Sequence, residues 1–460
     1  MKFELLSYEK IMVAVLFSGA FFASLSQSLL SNAVPVIMHD FVINASVVQL
    51  LTSSYTLTMG VVAIATPYLI NKYDVRKLFL TCMSIFLVGC VMSYFAPNFI
   101  VLFVSRIIQA LGAGVLFTLT QIVILYIYSK DKYAIILSYL GLIIGFAPSI
   151  GPTLAGFIID FSGWRNIFLL LSVVSVIIIL LGLHYVYNVE KETTETTMDI
   201  SSVLAIGFSM LLIMIGITNI TLNGISLLYS FVPIIIGIIL FVFFIHRQYH
   251  MEVPLINLKL FNNRLFLVVN IIIYISCFAW MSGYILVPLF LQSTLGVSAV
   301  ISGLVMLPAT IINAVLNPVG GKFYDRFGGK FTSIIGCLLL TISCIPFIFF
   351  NDNVNLISIV LIYIVRIIGL ILLFLPMFAY ALKEVDEKEY TQGLSIINSN
   401  REIVGSLSTT IILAFVSVLS VKGSVSLQGI NLAFFLQMIL FFIAVLMSIF
   451  LLKSEKGRFM

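Results

Sequence analysis

Apolar runs of about twenty residues recur along the whole chain, separated by short polar turns. They fall at approximately 11–33, 48–70, 78–95, 99–127, 134–159, 166–187, 200–218, 225–246, 265–291, 300–320, 331–350, 354–382, 392–420 and 430–453. A helix needs about twenty residues to cross roughly 30 Å of hydrocarbon, so each run predicts one membrane-spanning helix. In lipid, backbone polar groups must be satisfied within their own segment, which favours helices. A β-barrel would alternate apolar and polar positions in segments of about ten residues, and these runs are continuous instead. The predicted class is an all-α integral membrane protein. The first run carries Gln27, Ser31, Asn32 and Pro35 without a small-residue cleavage site, so it is expected to stay in the mature protein.

Composition supports lipid as the solvent. Of the 460 residues, 61% are hydrophobic and 9% charged, whereas a soluble domain carries roughly 25% charged residues. The net charge of +5 resides in short basic pairs between runs, with no stripe or tail, so no nucleic-acid partner is implied. With a cytoplasmic N-terminus, 19 of the 24 Lys and Arg fall in inside segments. The positive-inside bias then places both termini in the cytoplasm of a multi-pass cell-membrane protein. Cys82, Cys90, Cys277, Cys337 and Cys344 lie within runs and form no CxxC pair, which reads as small core hydrophobes. His39, His184, His246 and His250 sit at run ends, and no metal-ligand cluster is visible. Neither a nucleophile–base pair nor a Walker loop is present, so neither an enzyme, a cofactor nor an ATP-driven machine is expected.

The chain also repeats itself. The turn Pro67 to Lys77 and the turn Gly321 to Lys330 share an order of apolar, acidic-or-amide and basic residues; Arg106-Ile107-Ile108-Gln109 is echoed by Arg366-Ile367-Ile368-Gly369. Asn71 and Asp325 are 254 residues apart, Arg106 and Arg366 260. That duplication fits a six-helix bundle over 1–190, a two-helix insertion over 191–250 and a second bundle over 251–460.

The second turn, with Gly321, Asp325 and Arg326, resembles the major facilitator superfamily signature G-x-L-a-D-r-x-G-r-k. Its first copy has Asn71 where the family has Asp, and Asp74 where it has Gly, followed by Arg76. Arg106 to Gly114 is similar to R-x-x-q-G-x-g, with Ala110 in place of the first Gly. Residues 145–156 are similar to the antiporter motif g-x-x-x-G-P-x-x-G-G, and Leu25 to Pro35 to an L-N-Q-T-L-L-N-T-A-L-P variant of lincomycin-type fourteen-span exporters. The resemblance covers essentially the whole chain. It implies the major facilitator fold with two additional central spans, and a monomer that exchanges protons for small amphipathic compounds such as drugs. A nutrient symporter or a lipid or fatty-acid translocase on the same scaffold stays open. The resemblance also implies that Asn71, Arg76, Gly321, Asp325 and Arg326 gate one face. Pro148, Gly151, Pro152 and Gly156 predict a kinked, closely packed gating helix, because proline removes a donor and glycine admits close contact.

An ionisable group at a helix centre costs about 2.5–3.5 kcal/mol to insert and is by default functional. Glu402 lies ten residues into the thirteenth run, about 15 Å along a helix, and is a candidate proton carrier or a static partner of Arg401 or Arg366. Arg106 is tied to proton transfer by the resemblance; otherwise it snorkels outward. Gln27, Ser31, Asn32, Gln109, Gln121, Asn313, Arg366 and Asn398 could line a cavity or bond between helices. Trp280 and Met281 offer an adaptable wall, or lipid-facing packing. Many fourteen-span exporters carry an aspartate where this chain has Ser26, and no other acid is clearly buried in the N-terminal half. A neutral, zwitterionic or weakly charged substrate is therefore expected.

Overall fold

The computed structural model describes residues 2–30, 32–127, 146–147, 150–189, 199–223, 226–251, 254–351, 354–386, 389–418 and 426–452. Where the apolar runs lie, the chain is helical: α1 (Lys2–Leu29), α2 (Val34–Phe41), α3 (Ala45–Lys72), α4 (Val75–Tyr94) and α5 (Phe99–Ile127), then the shorter α6 (Ile150–Ser162). There follow α7 (Arg165–Tyr185), α8 (Ile200–Asn223), α9 (Val232–His250), α10 (Arg264–Leu289), α11 (Ala299–Phe349), α12 (Leu356–Leu382), α13 (Tyr390–Val418) and α14 (Leu427–Leu451). No strand occurs among the described residues.

Among the described residues twelve helices are long and apolar enough to cross a membrane, fewer than the fourteen runs. Of the fifth run only 146–147 and the part from Ile150 are described, and α13, though 29 residues long, carries Asn398, Asn400, Arg401 and Glu402 in its middle. Two boundaries also differ. The first run breaks after Leu29, and α2 restarts with Pro35 in its first turn, where its missing N–H costs nothing. The predicted turn over 321–330 is helical up to Gly328, whose φ of 79° and ψ of 167° break α11 in two. Only glycine adopts that backbone freely, so one residue does the work of a loop.

Hairpin alternation shows in what meets at each end of the bundle. At the face holding the start of α1, Tyr8 packs on Tyr185 at 6.3 Å. There too Asn263 donates to the Glu384 carbonyl at 3.3 Å, and Lys330 to the Ile449 carbonyl at 2.7 Å. At the opposite, far face, the Trp164 indole N–H donates to Asp40 at 2.7 Å, the Val300 N–H to Asp160 at 3.3 Å and Asn431 to the Phe350 carbonyl at 3.3 Å.

Glycine sets the tightest helix contacts. A Cβ on Gly112 of α5 would lie 2.2 Å from the Cys82 carbonyl of α4. At the far face, one on Gly156 of α6 would lie 2.6 Å from the Ala299 carbonyl, and one on Gly303 of α11 2.7 Å from the Thr153 Cα. The α6–α11 contact is thus backbone against backbone. Buried core residues from Met12 to Val186 form two clusters; a third runs mainly from Ala205 to Leu452 and takes in Leu57, Val61 and Ile64 of α3. The helices of the predicted insertion pair closely, with a Gly237 Cβ only 2.7 Å from the Ser209 carbonyl. α9 turns mostly outward, 17% of its span being buried.

Asp199 ties the start of α8 to the end of α9. It accepts from Arg247 Nε at 2.6 Å and Nη2 at 3.0 Å. Arg247, with the Ser202 hydroxyl, holds the Asp199 carboxyl below the ordinary carboxylate range against the opposing effect of burial. A lowered carboxylate contributes stability that is fully present above its unfolded value, about 4, and is lost as pH falls through the lowered one. Arg247→Gln is therefore expected to lower the thermal midpoint at neutral pH, with the difference from wild type closing in acid; melting curves against pH check this. Gly112→Val is expected to cost about 1–3 kcal/mol through overpacking, read as a lower midpoint in detergent.

Candidate functional site

A cavity lies where α1, α3, α10 and α13 meet. Ser24, Gln27 and Ser28 of α1 and Thr52 and Thr56 of α3 form one side; Trp280, Met281, Tyr284 and Ile285 of α10 form another, and α13 adds Arg401, Glu402 and Thr409. The α1, α3 and α10 sets recur at three- or four-residue spacing, and Thr409 follows Glu402 by seven, so each set lies on one helix face.

Glu402 is the buried acid of this wall. Its Oε1 accepts from Arg401 Nε at 3.1 Å and also from Arg401 Nη2. Its Oε2 accepts from Gln27 Nε2 at 3.1 Å, and the same amide nitrogen donates to Thr56 Oγ1 at 3.0 Å. The Arg401 guanidinium also sits 5.5 Å from the Phe117 and Phe374 ring centres, a favourable place for a cation. Burying a charge without a partner is prohibitive, and Arg401 supplies the partner from the next residue along. Of the two static partners considered from sequence, Arg401 is the one in contact.

α1 and α13 thus meet through Gln27 and Glu402. α3 and α13 meet through Ser53 and Thr409, whose hydroxyls are 2.6 Å apart, and at Gly60, where a Cβ would lie 2.9 Å from the Glu402 Cβ.

Arg106 is wholly buried and does not snorkel. It donates to Ser26 Oγ at 2.9 Å, to the Ser26 carbonyl at 3.2 Å and to Gln109 Oε1, and it stacks 4.0 Å from the Tyr55 ring centre. With a serine at position 26, Arg106 is held by neutral acceptors and a ring. Ser26 and Gln27 are consecutive on α1: one faces Arg106, the other Glu402. Gln109 belongs to the Arg106 cluster, donating to Cys90 Sγ at 2.6 Å, and not to the cavity lining.

Arg366, expected at the cavity, lies elsewhere too. It donates to Cys344 Sγ at 3.4 Å and to Gln437, between the rings of Phe434 and Phe441 at 5.8 and 5.7 Å. A buried arginine with a cysteine from the preceding span, a glutamine and phenyl rings therefore occurs in each half.

Other candidates separate similarly. Gln27, Trp280 and Met281 line the cavity. Gln121 and Asn398 meet each other at 3.4 Å, joining α5 to α13. Asn32 donates to the Pro152 carbonyl at 2.6 Å and the Ala299 carbonyl at 3.3 Å, so it pins the α6–α11 contact instead of lining the cavity. Pro152, Gly151 and Gly156 lie in that tightly packed α6, Gly151 close against Ser28. Asn313 is buried in α11 outside the lining. Arg76 donates to the Leu183 carbonyl at 2.5 Å, where a cation meets the negative end of α7. Gly321 has nothing within 4 Å of a Cβ, so it mediates no close approach. Among the described residues neither Asp325 nor Arg326 forms an ion pair; both are exposed, and Arg326 lies over the Phe327 ring at 5.3 Å. Ser31, Pro148 and the Asn71 side chain lie outside the described residues. Tyr284 and the threonines of α3 were missed, although Trp280 to Tyr284 and Thr52 to Thr56 each keep a four-residue step that marks one helix face.

The Major Facilitator Superfamily family matches residues 16–409. The chain belongs to that superfamily. The uncharacterized MFS-type transporter YcnB of Bacillus subtilis is 31% identical over 97% of this chain and 96% of its own length. The lincomycin resistance protein LmrB of the same organism is 28% identical over 87% and 84%, and the riboflavin transporter RibZ of Clostridioides difficile 24% over 88% and 88%. A D-xylose–proton symporter structure shares the fold, with a TM-score of 0.71 at 14% identity over 98% and 100%. The protein is a multi-pass membrane transporter of small molecules and not an enzyme. Because Arg366 lies outside the cavity lining, against Gly283 of α10, this superfamily member should separate stability from binding. Arg366→Met is expected to lower the thermal midpoint, since Gln437 loses its donor at about 1–3 kcal/mol, while leaving ligand affinity within about twofold. Calorimetric titration of both proteins checks it.

Proposed function

We propose that this transporter is a proton-coupled exporter of amphipathic, neutral or weakly charged compounds such as drugs, working by alternating access across the cell membrane. The observation that carries this reading is the Arg401–Glu402–Gln27 network on the cavity wall. Glu402 carries the proton. Ionised, it holds Arg401 and draws Gln27 across from α1; protonated, it loses its charge attraction to both. Ionised Glu402 and Arg401 together contribute no net charge, so the cavity does not select a permanent cation. Arg106 acts as a positioning residue, anchoring α1 through Ser26 so that Gln27 reaches Glu402.

The far-face contact of α6 with α11, pinned by Asn32, is the gate on one side, and the segments Asn71–Arg76 and Gly321–Arg326 serve the other. The chain works as a monomer of two bundles, 1–190 and 251–460, flanking the insertion 191–250. It crosses the bilayer fourteen times with both termini cytoplasmic, as the basic turns favour; the far face is then extracellular. The likeness to LmrB supports drug efflux. The likeness to RibZ favours a second reading, transport of one specific solute.

Proteoliposomes carrying an internal pH dye test the coupling. An outward drug gradient should drive proton movement in the opposite direction, and Glu402→Gln should abolish that movement while drug still equilibrates. Undiminished proton flux in Glu402→Gln removes Glu402 from the mechanism; proton movement in the same direction as solute favours symport.

A further inference from the structure

The cavity has two unlike sides, and this indicates what fills it. α1 and α3 present four hydroxyls, those of Ser24, Ser28, Thr52 and Thr56, around the Gln27 amide, while α10 presents Trp280, Met281, Tyr284 and Ile285. Between them Glu402 offers its Oε2 to a donor that is a flexible amide on another helix, at 3.1 Å. Gln27 has a second acceptor at hand in Thr56, at 3.0 Å, so it can release Glu402 without being orphaned. Arg401 is committed differently: it sits on the residue before Glu402 and is flanked by the Phe117 and Phe374 rings.

Resting on the reading of Glu402 as the proton carrier, we propose that the substrate is an uncharged amphipath bearing hydroxyl or amide N–H donors. It replaces Gln27 as the donor to the Glu402 carboxylate while its apolar side packs on Trp280, Met281 and Tyr284. Three consequences follow from that geometry. An uncharged donor fits because the carboxylate is already charge-compensated by Arg401; a quaternary cation brings a charge with no unpaired counter-charge, and a carboxylate ligand brings a like charge to Glu402. Substrate and proton compete for the same oxygen, because a protonated carboxyl no longer accepts a strong hydrogen bond there. Gln27 is a competitor of the substrate and sets its affinity. The titratable groups facing Glu402 are Arg401 beside it, Tyr55 of α3, Cys277 of α10 and Tyr284 on the opposite wall. Glu402 is the acid among them, and it carries the pH dependence.

The chain holds two tryptophans; Trp164 lies at the far face and Trp280 in the cavity. Trp280 emission in Trp164→Phe, in nanodiscs without any gradient, therefore reports occupancy. Calorimetry on the unaltered protein provides the same ranking without relying on the variant's fold. Three aromatic probes are titrated: chloramphenicol, uncharged with two hydroxyls and an amide N–H; tetraphenylphosphonium; and 1-naphthoate. Chloramphenicol should bind at least tenfold more tightly than either ion, weaken as the pH is lowered, and lose that pH dependence in Glu402→Gln. Gln27→Ala should tighten it about tenfold, the worth of one released charged hydrogen bond.

Tighter binding of either ion, absence of chloramphenicol binding, a pH dependence that survives in Glu402→Gln, or weaker binding in Gln27→Ala overturns the proposal. These are equilibrium measurements. A transporter that binds as described but moves no protons in the flux assay would refute the coupling and leave the substrate class standing.

Discussion

A charge buried in an apolar bundle must bring its own compensation, and everything specific about this protein follows from how it does so. Three arginines and one glutamate lie deep within the described helices. Arg106 and Arg366 meet amides, a hydroxyl, a carbonyl, sulfur and ring faces. Arg401 is held by Glu402. Protonation can therefore alter the electrostatics of the bundle at Glu402, and that residue stands on the cavity wall, in contact with a helix from the other end of the sequence.

α1 transmits the consequence. Because consecutive helix positions point about 100° apart, Ser26 and Gln27 present α1 to two different charge clusters at once. The anchored side is fixed by Arg106; the other side meets Glu402 through Gln27. α3 meets α13 through the Ser53–Thr409 hydroxyls, and α6 meets α11 through close backbone at Gly156 and Gly303, with Thr153 donating to the Gly303 carbonyl at 2.9 Å. A few such neutral bonds hold that face, so a difference of a few kcal/mol between closed and open states is within reach of one proton.

Much of the fold was legible because lipid leaves few options. Run length and loop charge marked nearly every helix, and Glu402 stood out as an acid in an apolar run. What could not be read was direction. Periodicity says that Gln109 and Arg366 are polar positions in helices; it does not say whether they face a cavity or a neighbouring helix, and both turned out to face neighbours. Asn32, a polar residue in an apolar run, could have lined the cavity or bonded between helices; the helix ends at Leu29, and Asn32 reaches α6 and α11. The 321–330 turn looked like a loop because it is polar, whereas a single left-handed Gly328 suffices to reverse the chain. The Arg401–Glu402 pair was weighed from adjacency alone, and its tie to Gln27, 375 residues away in sequence, required the tertiary structure.

The central claim, that the charge state of Glu402 biases which face of the bundle is closed, is most directly tested by a distance. Spin labels at Phe161 and Ile301, exposed positions at the far-face ends of α6 and α11, report that gap by pulsed dipolar spectroscopy in lipid. The account predicts a short distance in mildly alkaline buffer, a growing long-distance population on acidification, and a distribution in Glu402→Gln that resembles the acid one at every pH. A distribution that ignores pH in the wild-type protein, or that responds to pH equally in Glu402→Gln, contradicts it.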